Sequence, residues 1–362
     1  MPPVSVHSIP LNNPLTDPDA HAQVYGLLPA VIGYAAEQLT KRYPTLDDQV
    51  AYRLSELTFA WAVQVPWMVL SHEEGHAGAC RHLGWESSVR LRGWMAGETA
   101  YTFGPTGAPP SLENRQRVTA GGVTQEQWNA VRIYENWAQS EGIRHEEALG
   151  FLLAKTNLSL YALVSLKDAG AIPHNDLSNY IARSEKLGAS LSYAQIAAYT
   201  LAADLLSAPV WSALASQVDF LVTGDRTARL PALALSGTRI TLPNFSVMLD
   251  TRGPILGAQT EITHSQRAFG LGLYLRPTDP GAAVTLRLPH ITFDALRLST
   301  RIAVSWDEAL GVGSSVGATL SAGKGATSVS VSLDKPTHFL LSEPLGFEPD
   351  TVRLGAQIDW HF

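Results

Sequence analysis

The sequence predicts an α+β protein, with a helical domain over residues 1–230 followed by an antiparallel β-barrel of about eight strands over residues 231–362. Three observations carry that expectation. Apolar residues recur with a helical period up to about residue 230. After about Thr238 the period switches to two. Inside the helical part, Ser71-His72-Glu73-Glu74-Gly75-His76 reads H-E-x-x-H, a spacing that places two imidazoles on one helix face.

The elements follow in order. Residues 19–40 carry an apolar period through Leu27, Leu28, Val31, Ile32, Tyr34 and Ala35. A second helix starts after Thr45, with Asp47 and Asp48 in its first turn, and runs to about Leu83 and Gly84. Pro66 is expected to kink or break it, because proline lacks the N–H that an interior turn needs. Residues 86–118 read as a loop or short strands, rich in Gly and Pro. The next helix is expected after Gly121-Gly122, with Thr124 as its cap, and continues through Trp128, Val131, Tyr134 and Trp137. Further helices fit 145–168, 176–187 and 192–222.

Beyond that point Phe269, Leu271, Leu273 and Leu275 alternate with Ala268, Gly270, Gly272 and Tyr274. Val352, Leu354, Ala356, Ile358, Trp360 and Phe362 alternate with polar residues or glycine. One strand face is apolar and the other small or polar. A soluble domain buries the apolar face, whereas a membrane barrel turns it to lipid. The small polar face and the terminal Phe362 favour the lipid-facing version, and the last strand resembles the closing strand of bacterial outer-membrane barrels.

The H-E-x-x-H segment follows an almost wholly apolar run, Leu57–Leu70. Histidines and glutamates placed there need partners, and a metal ion supplies them. His72 and His76 are therefore the expected zinc ligands, and Glu73 beside them the base. The third ligand must come from elsewhere. Glu126, at the head of an apolar stripe, is the first candidate, and Glu135 the alternative. Asp176 fits a helix cap better, and Asp204 sits among apolar neighbours. Tyr134, Arg132 and His174 are candidates to bind substrate or stabilise an oxyanion, and His82 is a further candidate for substrate binding. Cys80 is the single cysteine, so no intrachain disulfide forms; it reads as a core residue.

The stretch His72-Glu73-Glu74-Gly75-His76, followed by Ala79 and Leu83-Gly84, resembles the active-site helix of zinc metallopeptidases, the site-2 protease family in particular. The resemblance covers about residues 70–84. It implies zinc on His72 and His76, Glu73 as base, a protein or peptide substrate, and an Asp ligand in a late Leu-Asp-Gly segment. This chain has no such segment, so a glutamate-type third ligand, as in gluzincin peptidases, is easier to place. Joined to a barrel, the helical domain would be a zinc metallopeptidase anchored at the outer membrane of a Gram-negative cell, with the bilayer as a second partner. The alternatives are a non-enzymatic barrel with a helical plug, or a soluble two-domain metallohydrolase.

Composition fits these classes. The formal net charge of −7 argues against a nucleic-acid binder. The N-terminus has no basic, apolar signal-peptide pattern, which predicts either a cytoplasmic chain or a mature form with an added Met; a soluble periplasmic or cytoplasmic location is the alternative to the outer membrane. No run of about 20 uninterrupted apolar residues predicts a spanning helix.

Overall fold

The computed structural model describes residues 6–10, 18–102, 110–140, 142–167, 175–265, 267–293, 296–307, 311–324, 327–336 and 353–361. In chain order these form β1 (Val6–Pro10), α1 (Pro18–Arg42), α2 (Val50–His82), β2 (Glu86–Leu91), β3 (Gly97–Thr102), α3 (Leu112–Gln139), β4 (Ile143–Arg144), α4 (His145–Lys167), α5 (Asp176–Lys186), α6 (Tyr193–Leu206) and α7 (Ala208–Thr223). Strands then take over: β5 (Thr227–Ala228), β6 (Ala232–Leu235), β7 (Thr238–Thr241), β8 (Asn244–Asp250), β9 (Gly253–His264), β10 (Arg267–Arg276), β11 (Gly281–Phe293), β12 (Leu296–Asp307), β13 (Gly311–Lys324), β14 (Thr327–Pro336) and β15 (Arg353–His361).

Three local expectations are corrected. First, α2 stays one helix through Pro66. The missing proline N–H leaves the Ala62 carbonyl without its helical partner. The Trp94 indole N–H, from the turn between β2 and β3, donates to that carbonyl instead (2.8 Å). Second, α3 begins thirteen residues earlier than expected, with Ser111 rather than Thr124 as its cap, accepting from the Asn114 amide at 3.1 Å. Gly121 and Gly122 therefore lie inside the helix. They are tolerated there because α2 passes so close: a Cβ on Gly121 would sit 2.6 Å from the Gly75 carbonyl oxygen. Thr124 is no cap; its hydroxyl donates to the Leu249 carbonyl of β8 (2.8 Å). Third, the expected helix 192–222 breaks between Leu206 and Ala208, where Pro209 starts α7, and the two halves meet at 63°.

The predicted closed barrel is also overturned. The long antiparallel sheet is open among the described residues, running β1-β15-β14-β13-β12-β11-β10-β9-β7-β6, with β8 also paired to β9. The far edge of β9 explains why. It is shared by β7, through Thr238–Ile240, and by β8, through Asn244–Asp250. β8 then packs on α3 and α6, which draws that edge into the helical layer rather than round to β1. Phe362 lies outside the described residues.

The sheet's two faces differ in burial. Tyr274, Ala283 and Ala303 point inward and pack with Met248 and Ile255 against Trp128 and Val131 of α3. Their neighbours Leu273, Leu275, Val284, Val304 and Trp306 point outward and are exposed. One helix, α4, is long and apolar enough over His145–Leu166 to cross a membrane, although more than half of that stretch is buried within the protein. The bent α6–α7 pair passes the same test as a unit.

A buried ion cluster ties α2 to the start of α4. His145 Nε2 lies 3.3 Å from Glu56 Oε1 and 3.3 Å from Glu146 Oε1, and its ring stacks on Phe220. Arg226 donates to both Glu56 oxygens (2.5 and 2.7 Å) and to Asp47 (2.8 Å). A guanidinium thus already supplies the cation these carboxylates need. Burial alone would push the His145 pKa down, but Glu146 and Glu56 outweigh it and raise the pKa to about 9. A raised imidazole pKa adds stability that is complete below its unfolded value of about 6.5 and is lost as pH rises through the folded value. Denaturant unfolding should therefore show a loss on the order of 3 kcal/mol between pH 6.5 and 10. His145→Gln should flatten that part of the profile; an unchanged profile in the variant would contradict the assignment.

Candidate metal centre

Three side chains from two helices converge. His72 and His76 come from one face of α2, and Asp176 from the first turn of α5. His72 Nε2 and His76 Nε2 are 3.1 Å apart. Asp176 Oδ2 is 3.1 Å from the first and 3.2 Å from the second. Asp176 can turn inward because Asn175, not Asp176, caps α5, accepting from the Ser178 amide at 2.7 Å. The Asp176 amide is itself held, donating to the Tyr161 hydroxyl (2.9 Å).

The opposite edges of both rings are spent on acceptors. His72 Nδ1 donates to Glu126 Oε1 (2.8 Å). His76 Nδ1 lies 2.6 Å from the Val118 carbonyl and 3.3 Å from the Gly122 amide nitrogen; the nearer carbonyl assigns the proton to Nδ1. Both Nε2 atoms of the neutral rings then carry lone pairs. They face each other and a carboxylate oxygen, an electron-rich triangle that a proton or a metal cation would relieve. Gly122 leaves these two atoms unobstructed, because a Cβ there would lie 2.6 Å from each Nε2. Two imidazoles and a carboxylate suit a catalytic zinc site with an open fourth position. His72, His76 and Asp176 are thus the residues that could hold the ion.

The electrostatics agree in direction. Burial pushes the Asp176 carboxyl pKa up, but His76 and His72 outweigh that and hold it far below the usual carboxylate range. Burial lowers the His72 pKa, and Glu126 and Asp176 raise it well above the ordinary value. A cation between the Nε2 atoms would replace those protons.

Other predicted residues sort by position. Glu126 lies on the far side of the His72 ring, not among the Nε2 atoms, so it orients a ligand rather than forming one. It is fully buried, and Oε1 also accepts from Asn157 Nδ2 (2.7 Å). Glu135 pairs with Arg132 on α3, both half-buried and away from the triangle. Tyr134 is buried away from the triangle, with its hydroxyl 2.8 Å from Thr241 Oγ1. Asp204 pairs with buried Lys155 (2.9 Å). Cys80 is buried in a small apolar cluster with Trp85 and Val118. His174 lies outside the described residues. Asp176, Val118 and Asn157 are the residues that sequence reasoning missed or ranked low.

Glu73 sits beside the triangle, half-buried. Its carboxylate accepts from the Thr99 hydroxyl at Oε2 (2.7 Å), and Gly97 packs against its side chain. No protein family, no curated protein and no solved structure matches this chain.

Zinc titration should separate ligand from orienting residue. Asp176→Asn and His76→Ala should each abolish stoichiometric binding. Glu126→Gln should retain zinc with affinity lowered by roughly 10- to 100-fold, as for other partners of ligating histidines. Loss of all zinc in Glu126→Gln with none in Asp176→Asn would reverse the assignment.

Proposed function

We propose that the chain is a zinc-dependent hydrolase of peptide bonds, with the sheet's outward face resting in lipid. One observation supports the hydrolase reading most. A carboxylate, Glu73, stands next to a triangle of two imidazoles and one carboxylate whose lone pairs already converge. A purely structural zinc site has no use for that adjacent acid and is closed by four protein ligands.

Zinc, when bound, would supply Lewis acidity that polarises a carbonyl and makes water easier to deprotonate. The protein's own part is then definable. Glu73 accepts a proton from the attacking water and returns it to the leaving amine. Glu126 holds His72 in the tautomer whose Nε2 lone pair faces inward, and the Val118 carbonyl does the same for His76. Gly122 keeps the centre open. Helices α2 and α3 restrict water on the buried side, which strengthens each of these interactions.

The lipid part rests on the sheet. Its exposed apolar face continues across β10 to β13, from Leu275 to Val316, while its inward face carries small and polar residues. In water, a continuous apolar patch of that breadth favours association with another apolar surface. A bilayer satisfies it without any specific partner.

The test uses the full chain in detergent or in phospholipid vesicles, with a mixed peptide library read by mass spectrometry. Cleavage should require zinc, and Glu73→Gln should lower the rate by about 100-fold or more, within the range typical of a lost general base, with zinc content unchanged. The protein should float with vesicles and aggregate without detergent. Undiminished cleavage in Glu73→Gln would sink the catalytic assignment, and a monodisperse, detergent-free chain that ignores vesicles would sink the lipid one.

A further inference from the structure

The β2–β3 hairpin contributes nothing to the ligand triangle, yet it grips the one carboxylate beside it. Ser87 of β2 ties the hairpin to α2 through the Ala77 carbonyl and Arg81, and two further contacts bear on Glu73 and its surroundings. The first is the Trp94 indole on the Ala62 carbonyl that Pro66 leaves free, with Trp94 also packed edge-on against Trp61 at 4.6 Å between centroids. The second is Thr99, whose Oγ1 lies 2.8 Å from the Glu73 carbonyl oxygen and 2.7 Å from Glu73 Oε2. A hydroxyl carries one proton, so it donates to one of these acceptors at a time, and the charged oxygen makes the stronger bond. Gly97 completes the grip. A Cβ there would overlap Glu73 Cγ and lie 2.9 Å from Oε1. Among the described residues, Oε1 has no hydrogen-bond donor, so it is the oxygen left to take up a proton.

We propose that Thr99 is a positioning residue for Glu73: its hydroxyl holds Oε2, and so fixes the rotamer in which Oε1 serves as the base. Gly97 provides the room, and the hydrogen bond from Trp94 to the Ala62 carbonyl helps set where the hairpin lies. The inference rests on the hydrolase reading and deepens it, because it assigns separate tasks to the two oxygens of one carboxylate.

The experiment reads ligand binding rather than turnover. The full chain, substituted with cobalt(II), is titrated with acetohydroxamate and separately with 2-mercaptoethanol, following the visible spectrum of the metal. A hydroxamate chelates the ion and gives its proton to a neighbouring carboxylate, whereas a small thiolate needs only the ion. Thr99→Val keeps the side chain's shape and removes the donor. It should weaken acetohydroxamate about tenfold, the effect of losing one hydrogen bond to a charged group. Binding of 2-mercaptoethanol and cobalt stoichiometry should not change, and Thr99→Ser should restore the wild-type value. Trp94→Phe should shift hydroxamate binding in the same direction by less.

Equal hydroxamate affinity in wild type and Thr99→Val would overturn the proposal. So would a parallel loss for both ligands, which would assign Thr99 to the fold alone. Failure of the wild-type chain to take up cobalt or zinc is a different result: it would remove the metal centre itself, and the role of Thr99 with it.

Discussion

Helices α2 and α3 touch backbone to backbone where Gly75 meets Gly121, and the site is built on that contact. A Cβ on Gly75 would fall 2.5 Å from the Gly121 carbonyl oxygen, so no larger residue fits either position without moving a helix. The close approach has two results. It brings His72 and His76 over Gly122, whose bare Cα leaves the centre open. It also brings the Val118 carbonyl and the Glu126 carboxylate within reach of the two Nδ1 atoms. Helical glycine is intrinsically unfavourable by about 1 kcal/mol relative to alanine. Burial of large side chains elsewhere in the helical layer, including Trp137, Phe151 and Tyr25 in the main cluster, offsets that penalty.

The chemistry then follows from directed lone pairs. Each imidazole is turned by an acceptor behind it, so both Nε2 atoms face forward. Asp176 arrives from a separate helix, which Asn175 caps and the Tyr161 hydroxyl anchors. The same fold handles a second buried carboxylate pair differently. Glu56 and Glu146 meet His145 as well, but Arg226 fills the space between them. Two acids and a histidine are thus neutralised by a guanidinium in one place, whereas two histidines and an acid form the centre proposed to take an ion in the other. The difference lies in the presence of an arginine and in the glycine that keeps the other centre clear.

Much of the helical layer was legible from periodicity, because long amphipathic runs are local signals. The H-E-x-x-H spacing likewise placed His72, Glu73 and His76 together on one helix. The third converging side chain, a carboxylate, was not legible. Asp176 stands 100 residues from His76, and its position in a helix's first turn gave it an ordinary local explanation. The neighbouring Asn175 was the available clue, since a filled cap leaves the next carboxylate free. Glu126 was singled out for a sound reason, that a buried acid needs a partner, but the partner is the Nδ1 edge of His72 and the Asn157 amide. The start of α3 was misplaced because two adjacent glycines read as a helix boundary, whereas here they serve interhelical contact. Strand alternation gave the strands but not their closure, which depends on how β7, β8 and the helices compete for the edge of β9.

The most direct test of the account is anomalous diffraction at the zinc absorption edge from crystals of the zinc-loaded chain. The account predicts one peak within about 2.0–2.2 Å of His72 Nε2, His76 Nε2 and an Asp176 oxygen. Glu126 should remain on His72 Nδ1. A peak on the Glu126 side of the ring, or none near these residues in a fully loaded crystal, would contradict it.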